Sequence, residues 1–235
     1  MLCRIADLTV EVPASAGLLP RCEPYGCAED VRADIVIDSQ RYDLTQWPGA
    51  SEETAIYLES GFQFYGNLLR FDGLMLHSSA IEMEGRAYLF SGPCGAGKST
   101  HTHLWQAAFG ASAQVFNDDK PALRRIGGIW YAYGTPWCGK DGINQNKKVP
   151  LAGVCFLKQA KENRIRRLTP DEAALGVISQ TMYKFKNAEN LSRMLSLVDM
   201  LVREIPVFEL QNRPEQEAAL LSFETMRRAA LEAGL

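Results

Sequence analysis

Eight consecutive residues, Gly92-Pro93-Cys94-Gly95-Ala96-Gly97-Lys98-Ser99, satisfy the spacing G-x-x-x-x-G-K-[ST]. Each type has a physical reason. Glycines let the backbone curl so that successive N–H groups point at phosphate oxygens, and the positive end of the following helix adds to them. A lysine in the Lys98 position reaches the β- and γ-phosphates as a compact cation, and the Ser99 hydroxyl joins a Mg²⁺ shell. Gly92 through Thr100 are therefore predicted to bind ATP or another nucleoside triphosphate, with Mg²⁺.

Asp118 and Asp119 follow the short apolar run Val115-Phe116. Adjacent carboxylates at the end of a buried strand repel each other unless a cation sits nearby. They are the candidate metal ligands beside Ser99 and the candidate catalytic acids or bases; the plain alternative is a turn that begins Asn-Asp-Asp. His77, one strand ahead of the loop, is either a satisfied core histidine or an imidazole that bonds a γ-phosphate oxygen or tunes a carboxylate. Lys140, in a glycine-rich loop, is either a clamp on a transferring phosphoryl group or a solvated lysine. The candidate catalytic set is thus Asp118, Asp119, His77, Lys98 and Lys140. His101 and His103 stand at i, i+2 on the helix after the loop, do not share one face, and read as packing or solvent residues. Lys147 and Lys148 read as solvated, Trp130 and Tyr131 as packing.

These residues need elements to hold them. Ala87 to Ser91 reads as the strand delivering the loop and Ser99 to Phe109 as the helix leaving it. Leu74 to Glu82 reads as one strand, joined to the loop strand by a tight turn at Glu84-Gly85. Ala122–Ile126 and Ile129–Tyr133 flank Gly127-Gly128, a two-residue hairpin signal. A further hairpin is predicted between Val154–Lys158 and Arg164–Leu168. Ser51, followed by Glu52 and Glu53, caps a helix that carries Ile56, Phe62, Tyr65, Leu68 and Leu69, with Gly61 as a weak point. Thr169-Pro170-Asp171-Glu172 is a capping box opening a helix to about Tyr183. Leu191, Met194, Leu195, Val198, Leu201 and Val202 form an amphipathic stripe. A strand at Pro206–Leu210 and a helix at Pro214–Ala233 follow. Residues 1–50, with runs at Leu2–Val12 and Asp34–Ile37, read as a small β-rich region, and 51–235 as a P-loop kinase-like domain packed with it as one unit.

Antiparallel neighbours on both sides of the loop strand set this arrangement apart from the parallel, doubly wound sheet usual around such loops. The expected class is α+β, or mixed α/β, with a β-rich mixed sheet and C-terminal helices. A composition of 46% hydrophobic and 23% charged residues fits a globular chain. A net charge of −3 without a basic stripe gives no footprint for nucleic acid. Cys3, Cys22, Cys27, Cys94, Cys138 and Cys155 show no zinc-site spacing and read as free thiols. The polar N-terminus is no signal peptide and no apolar run suffices for a membrane span, so the expectation is a cytoplasmic protein without a membrane partner.

Leu76-His77-Ser78-Ser79-Ala80, the loop, Asn117-Asp118-Asp119 and Gly134-Thr135-Pro136-Trp137-Cys138-Gly139-Lys140 together resemble the catalytic domain of HPr kinase/phosphorylase. The likeness to phosphoenolpyruvate carboxykinase is more distant. The resemblance spans Leu74 to Leu157 and looks like a bacterial relative of that kinase rather than the kinase itself. This group includes kinases acting on serine in lasso-peptide precursors. It implies a phosphoenolpyruvate carboxykinase-like fold, a histidine near phosphates and metal at His77, and metal binding plus general-base duty shared by Asp118 and Asp119, the division left open. Where HPr kinase has an arginine-glycine signature, this chain has Trp137-Cys138-Gly139-Lys140-Asp141-Gly142, so phosphorolysis is not implied. The first ~70 residues do not look like that kinase's N-terminal domain, and HPr is not implied as substrate. The leading expectation is ATP-dependent phosphoryl transfer to a hydroxyl, such as a serine, of a peptide, protein or small molecule. A nucleotide-binding regulatory module without catalysis and a carboxykinase-type metabolic enzyme are the alternatives, and an oligomer is left open.

Overall fold

The computed structural model describes residues 1–15, 17–27, 31–181 and 187–235. Strands β1 (Leu2–Ile5) and β2 (Leu8–Glu11) form an antiparallel hairpin turned by Ala6 and Asp7, both at positive φ, so the predicted run Leu2–Val12 is two strands. After the short helix α1 (Leu19–Cys22), β3 (Ile35–Val36) adds in parallel to β2 and completes a three-stranded sheet. Helix α2 (Glu52–Leu68) starts where predicted: the Ser51 side chain accepts from the Thr54 amide, with Glu52 and Glu53 in the first turn. Its Phe64, Tyr65 and Leu68 share one core with Ile5, Val10 and Ile37 of the N-terminal segment and with Trp137.

The large sheet begins with β4 (Gly73–Met75) and β5 (Ser78–Met83), which together replace the single predicted strand Leu74–Glu82. β4 pairs with one partner and β5 with others, so the chain breaks at Leu76-His77, and the His77 amide leaves the ladder to bond the Gln180 carbonyl at 2.8 Å. β5 turns at Glu84-Gly85 into β6 (Arg86–Ser91), as expected. Helix α3 (Lys98–Phe109) and strand β7 (Gln114–Asn117) follow, and β7 returns antiparallel to β5. β8 (Ala122–Ile126) and β9 (Ile129–Tyr133) form the expected hairpin. The long β10 (Lys148–Gln159) pairs through its first three residues with β9, and further along with β6 in parallel, so the loop strand has one antiparallel neighbour, β5, and one parallel neighbour rather than the two antiparallel ones expected.

β11 (Arg164–Arg167) does not pair with β10, contrary to the predicted hairpin. After α4 (Pro170–Gln180) and α5 (Ala188–Glu204), β12 (Val207–Asn212) enters between β10 and β11, parallel to the first and antiparallel to the second. The reason is burial. Val154 to Leu157 are buried and need strands on both edges, whereas Arg164, Arg166 and Arg167 are exposed and suit a sheet edge. Helix α6 (Gln216–Glu232) closes the chain. The result is a mixed α+β fold on a nine-stranded mixed sheet.

Period-two alternation explains the layers. Leu89, Val154 and Phe156 face a core shared with Val177 of α4 and Val198 and Leu201 of α5. Tyr88, Phe90, Cys155 and Leu157 face the opposite core, with Trp105 of α3 and Met226 and Ala230 of α6. Trp105 is fully buried against Phe90 and Phe223, and its truncation to alanine would cost about 3–5 kcal/mol. Thr169 forms the predicted capping box with Glu172, but α4 ends at Gln180, and the predicted extension to Tyr183 falls outside the described residues. Of the α5 stripe, Leu191 and Leu195 stay exposed while Met194, Val198, Leu201 and Val202 are buried. Lys147 and Lys148 are not simply solvated. Lys147 Nζ donates to Glu82 at 2.6 Å and to Gln114 at 2.8 Å, and Lys148 pairs with Asp7 at 2.7 Å over the Tyr131 ring. Among the described residues no helix is long and apolar enough to cross a membrane.

Candidate phosphate-binding site

β6 runs out at Ser91, and the loop turns through Gly92, Gly95 and Gly97 at φ of 142°, 80° and 97°. Side chains rarely tolerate such angles, so glycine is required for the curl. Gly97 precedes the first turn of α3, whose N-terminus therefore opens at the loop. Lys98 folds back over the loop, its Nζ donating to the Gly92 carbonyl at 2.9 Å and the Pro93 carbonyl at 3.2 Å. A cleft of 730 Å³ lies alongside, lined by Cys94, Ser99 and Thr100 on one wall and by Asp118, Asp119 and Lys140 on the other. All the predicted catalytic residues but His77 line this cleft, and His77 joins it through Asp119.

The Asn-Asp-Asp segment is a turn, and the turn is what presents the carboxylates. Asn117 Nδ2 donates to the Thr135 carbonyl at 3.1 Å, while its Oδ1 accepts from the amides of Asp119 (3.2 Å) and Lys120 (2.9 Å). Asp118 is 7% exposed and accepts the Gly139 amide on Oδ1 at 2.6 Å. A Cβ at position 139 would stand 2.8 Å from the other Asp118 oxygen, so the close approach needs glycine. Gly139 is held there by Trp137, which stacks on Phe64 at 4.7 Å and donates Nε1 to Ser60 Oγ at 3.0 Å. Gly61, a weak point in the helical pattern, leaves room for that indole, since a Cβ there would meet Trp137 at 2.9 Å.

Asp119 is held differently. His77 Nε2 donates to its Oδ1 at 3.0 Å, and the Lys120 ammonium pairs with Oδ2. His77 Nδ1 lies 3.2 Å from Gln180 Oε1, so the break between β4 and β5 and the end of α4 together aim the imidazole. The two neighbouring carboxylates are driven apart. Burial raises the Asp118 pKa, and the charge of Asp119 adds to that, against the amides that lower it. Burial also pushes Asp119 upward, but the His77 hydrogen bond and the Lys120 charge outweigh it and bring Asp119 to about 2. Burial lowers the Lys98 pKa, partly offset by Asp119.

His101 is a packing residue, as expected: fully buried, with Nε2 at 3.0 Å from Ser222 Oγ on α6. His103 is exposed and lines the cleft. Sequence reasoning missed Lys120, Gln180 and Gly139 as parts of this arrangement. Lys120 carried a signal in standing directly after Asp119; Gln180 carried none, because only tertiary contact brings it to His77. Two further cavities adjoin. One, of 530 Å³, shares Asp119, Gly139 and Lys140 with the cleft. The other, of 730 Å³ and largely apolar, flanks Gly92 to Ala96 on the side of Phe156, Leu168, Leu175 and Gln180.

Residues 50–213 match the family described as SynChlorMet cassette protein ScmC. No curated protein matches the sequence. Among solved structures, the chain is similar to the HPr(Ser) kinase/phosphatase from Coxiella burnetii, at 12% identity and a TM-score of 0.39, over 67% of this chain and 91% of that one.

Proposed function

This chain belongs to the ScmC family, and we propose that it is an ATP- and Mg²⁺-dependent kinase transferring the γ-phosphoryl group to a hydroxyl of a peptide, protein or small molecule. The observation that carries the reading is one cleft with the glycine loop and Lys98 on one wall and two carboxylates of opposite pKa displacement on the other. A module that only held nucleotide would have no use for the buried, raised Asp118.

The loop amides and the α3 N-terminus receive the phosphates, and Lys98 reaches the β- and γ-phosphoryl oxygens. The donor set suits Mg²⁺. Among the described residues no group of three or more His, Cys, Asp or Glu forms a metal cage; Mg²⁺ is commonly held by one or two carboxylates together with substrate phosphates. Ser99 and Asp119, the latter ionised at any ordinary pH, would hold it. Bound there, the ion supplies neutralisation of charge on the β- and γ-oxygens. Asp118, with its pKa above the usual carboxylate value, suits the general base. The acceptor oxygen bonds to the γ-phosphorus, the bond to the β–γ bridging oxygen breaks, ADP leaves, and the acceptor proton passes to Asp118. His77 and Lys120 keep Asp119 ionised and fixed. Catalysis is chiefly positioning and electrostatics.

The test is incubation of the full chain with Mg²⁺ and γ-labelled ATP, scoring ADP release against label carried onto serine, pooled peptides and lysate. Label transfer with matching ADP is expected, and Lys98→Ala should abolish it. Full transfer by Lys98→Ala would overturn the assignment.

A further inference from the structure

The 530 Å³ cavity beyond Asp119 is built from two distant parts of the chain. Arg21, on α1 and outside the matched span 50–213, meets Tyr57 of α2 and the Cys138-Gly139-Lys140 segment there. The guanidinium carbon lies 4.9 Å from the centre of the Tyr57 ring. Its Nη1 donates to Cys138 Sγ at 2.8 Å and to the Cys138 carbonyl at 3.4 Å, and the Tyr57 hydroxyl donates to that same carbonyl at 2.8 Å. Arg21 is thereby fixed in place by an aromatic face and a backbone carbonyl, while among the described residues no carboxylate pairs with it. The cavity's charges are Arg21, Lys120 and Lys140 against Asp119 and Glu53. Lys120 and Asp119 neutralise each other, and Glu53 and Lys140 are both exposed, so the inner wall keeps the positive charge of Arg21.

We propose that this cavity receives the phosphoryl acceptor and that Arg21 binds a carboxylate which the acceptor carries beside its reacting hydroxyl. The inference rests on the kinase reading above. Its geometric basis is that Asp119, Gly139 and Lys140 line both this cavity and the cleft beside the glycine loop, so a group held in one faces the other across Asp119 and Gly139. With the guanidinium over the Tyr57 ring and Nη1 engaged by Cys138, Nε and Nη2 remain as a side-on pair of donors suited to a carboxylate. The carboxylate comes from a free hydroxy acid or from an acidic residue next to a serine in a peptide.

The experiment follows ¹⁵N–¹H signals of the full chain, Gly139 in particular, with three hydroxyl-bearing probes. These are N-acetyl-L-serine, its neutral counterpart N-acetyl-L-serinamide, and an end-blocked serine peptide flanked by aspartates. At least one carboxylate probe should bind about tenfold or more tighter than the serinamide, and Arg21→Gln should remove that preference. Arg21→Lys, which keeps charge but loses the fork, should retain part of it. Which carboxylate probe binds separates the small acid from the peptide. Equal binding of the serinamide, binding by no probe, or a preference that survives Arg21→Gln overturns the inference. The first contrast needs no variant, so a folding defect cannot obscure it. A non-hydrolysable ATP analogue with Mg²⁺, read at Gly92 to Ser99, scores the kinase reading separately. Its failure sinks that reading, whereas nucleotide binding without carboxylate preference sinks only this one.

Discussion

His101 ties α3, the helix after the glycine loop, to α6 and makes that junction sensitive to acid. It is fully buried between Phe90, whose ring centre lies 4.4 Å away, and Ser222. Burial lowers its pKa from 6.5 to about 4. An unfolded chain takes up the proton near 6.5 and the folded one only near 4, so between those values the unfolded state binds more protons and stability rises with pH. The contribution is complete above the unfolded value and is lost as pH falls toward the folded one. A displacement of that size corresponds to about 3 kcal/mol. Urea unfolding of wild type and His101→Gln, across this pH range, isolates the term because the other titrating groups cancel in the difference. With an m-value of about 2–3 kcal/mol/M, the gap between the two midpoints should change by about 1 M from the upper to the lower end. His101→Gln should be the less stable protein near neutrality and lose less as the pH drops. Midpoints that stay parallel throughout would refute a neutral, desolvated imidazole at this junction.

Three more outcomes are expected. Asp118→Asn removes the proposed base but not the loop, so transfer should fall by about 10²–10⁴-fold with nucleotide affinity little changed, as single-turnover kinetics and calorimetry would report. Asp119→Asn should lower stability by about 2 kcal/mol at neutral pH, because a carboxylate held near 2 stabilises the fold above its unfolded value of 3.8 and ceases to as pH falls through 2; the deficit should vanish in acid unfolding curves taken below that point. Gly139→Ala drives a methyl against the Asp118 carboxylate, so a loss of about 1–3 kcal/mol in thermal unfolding and a larger fall in transfer than in nucleotide binding are expected.

The glycine-rich loop, its strand and its helix were legible because they depend on local rules: glycine where φ is positive, an apolar strand before and a helix after. The same holds for the hairpins at Glu84-Gly85 and Gly127-Gly128 and for the caps at Ser51 and Thr169, each defined by a few adjacent residues. Local rules failed where two segments competed for one neighbour. β11 follows β10 closely, yet β12 takes the place beside β10, because the pairing of a buried strand is decided by which edges must be covered. Leu74–Glu82 reads as one apolar strand, but the bonding needs of β8 and β6 divide it, and that division is what frees His77 to meet Asp119. The sequence by itself determined that Asp118 and Asp119 stand together near the loop; it left their roles equal. Tertiary structure decided the difference, since the charge state of a carboxylate depends on what packs around it. The Gly139 amide and burial act on one, His77 and Lys120 on the other, and Arg21 arrives at the adjoining cavity from a part of the chain that local pattern does not connect to them.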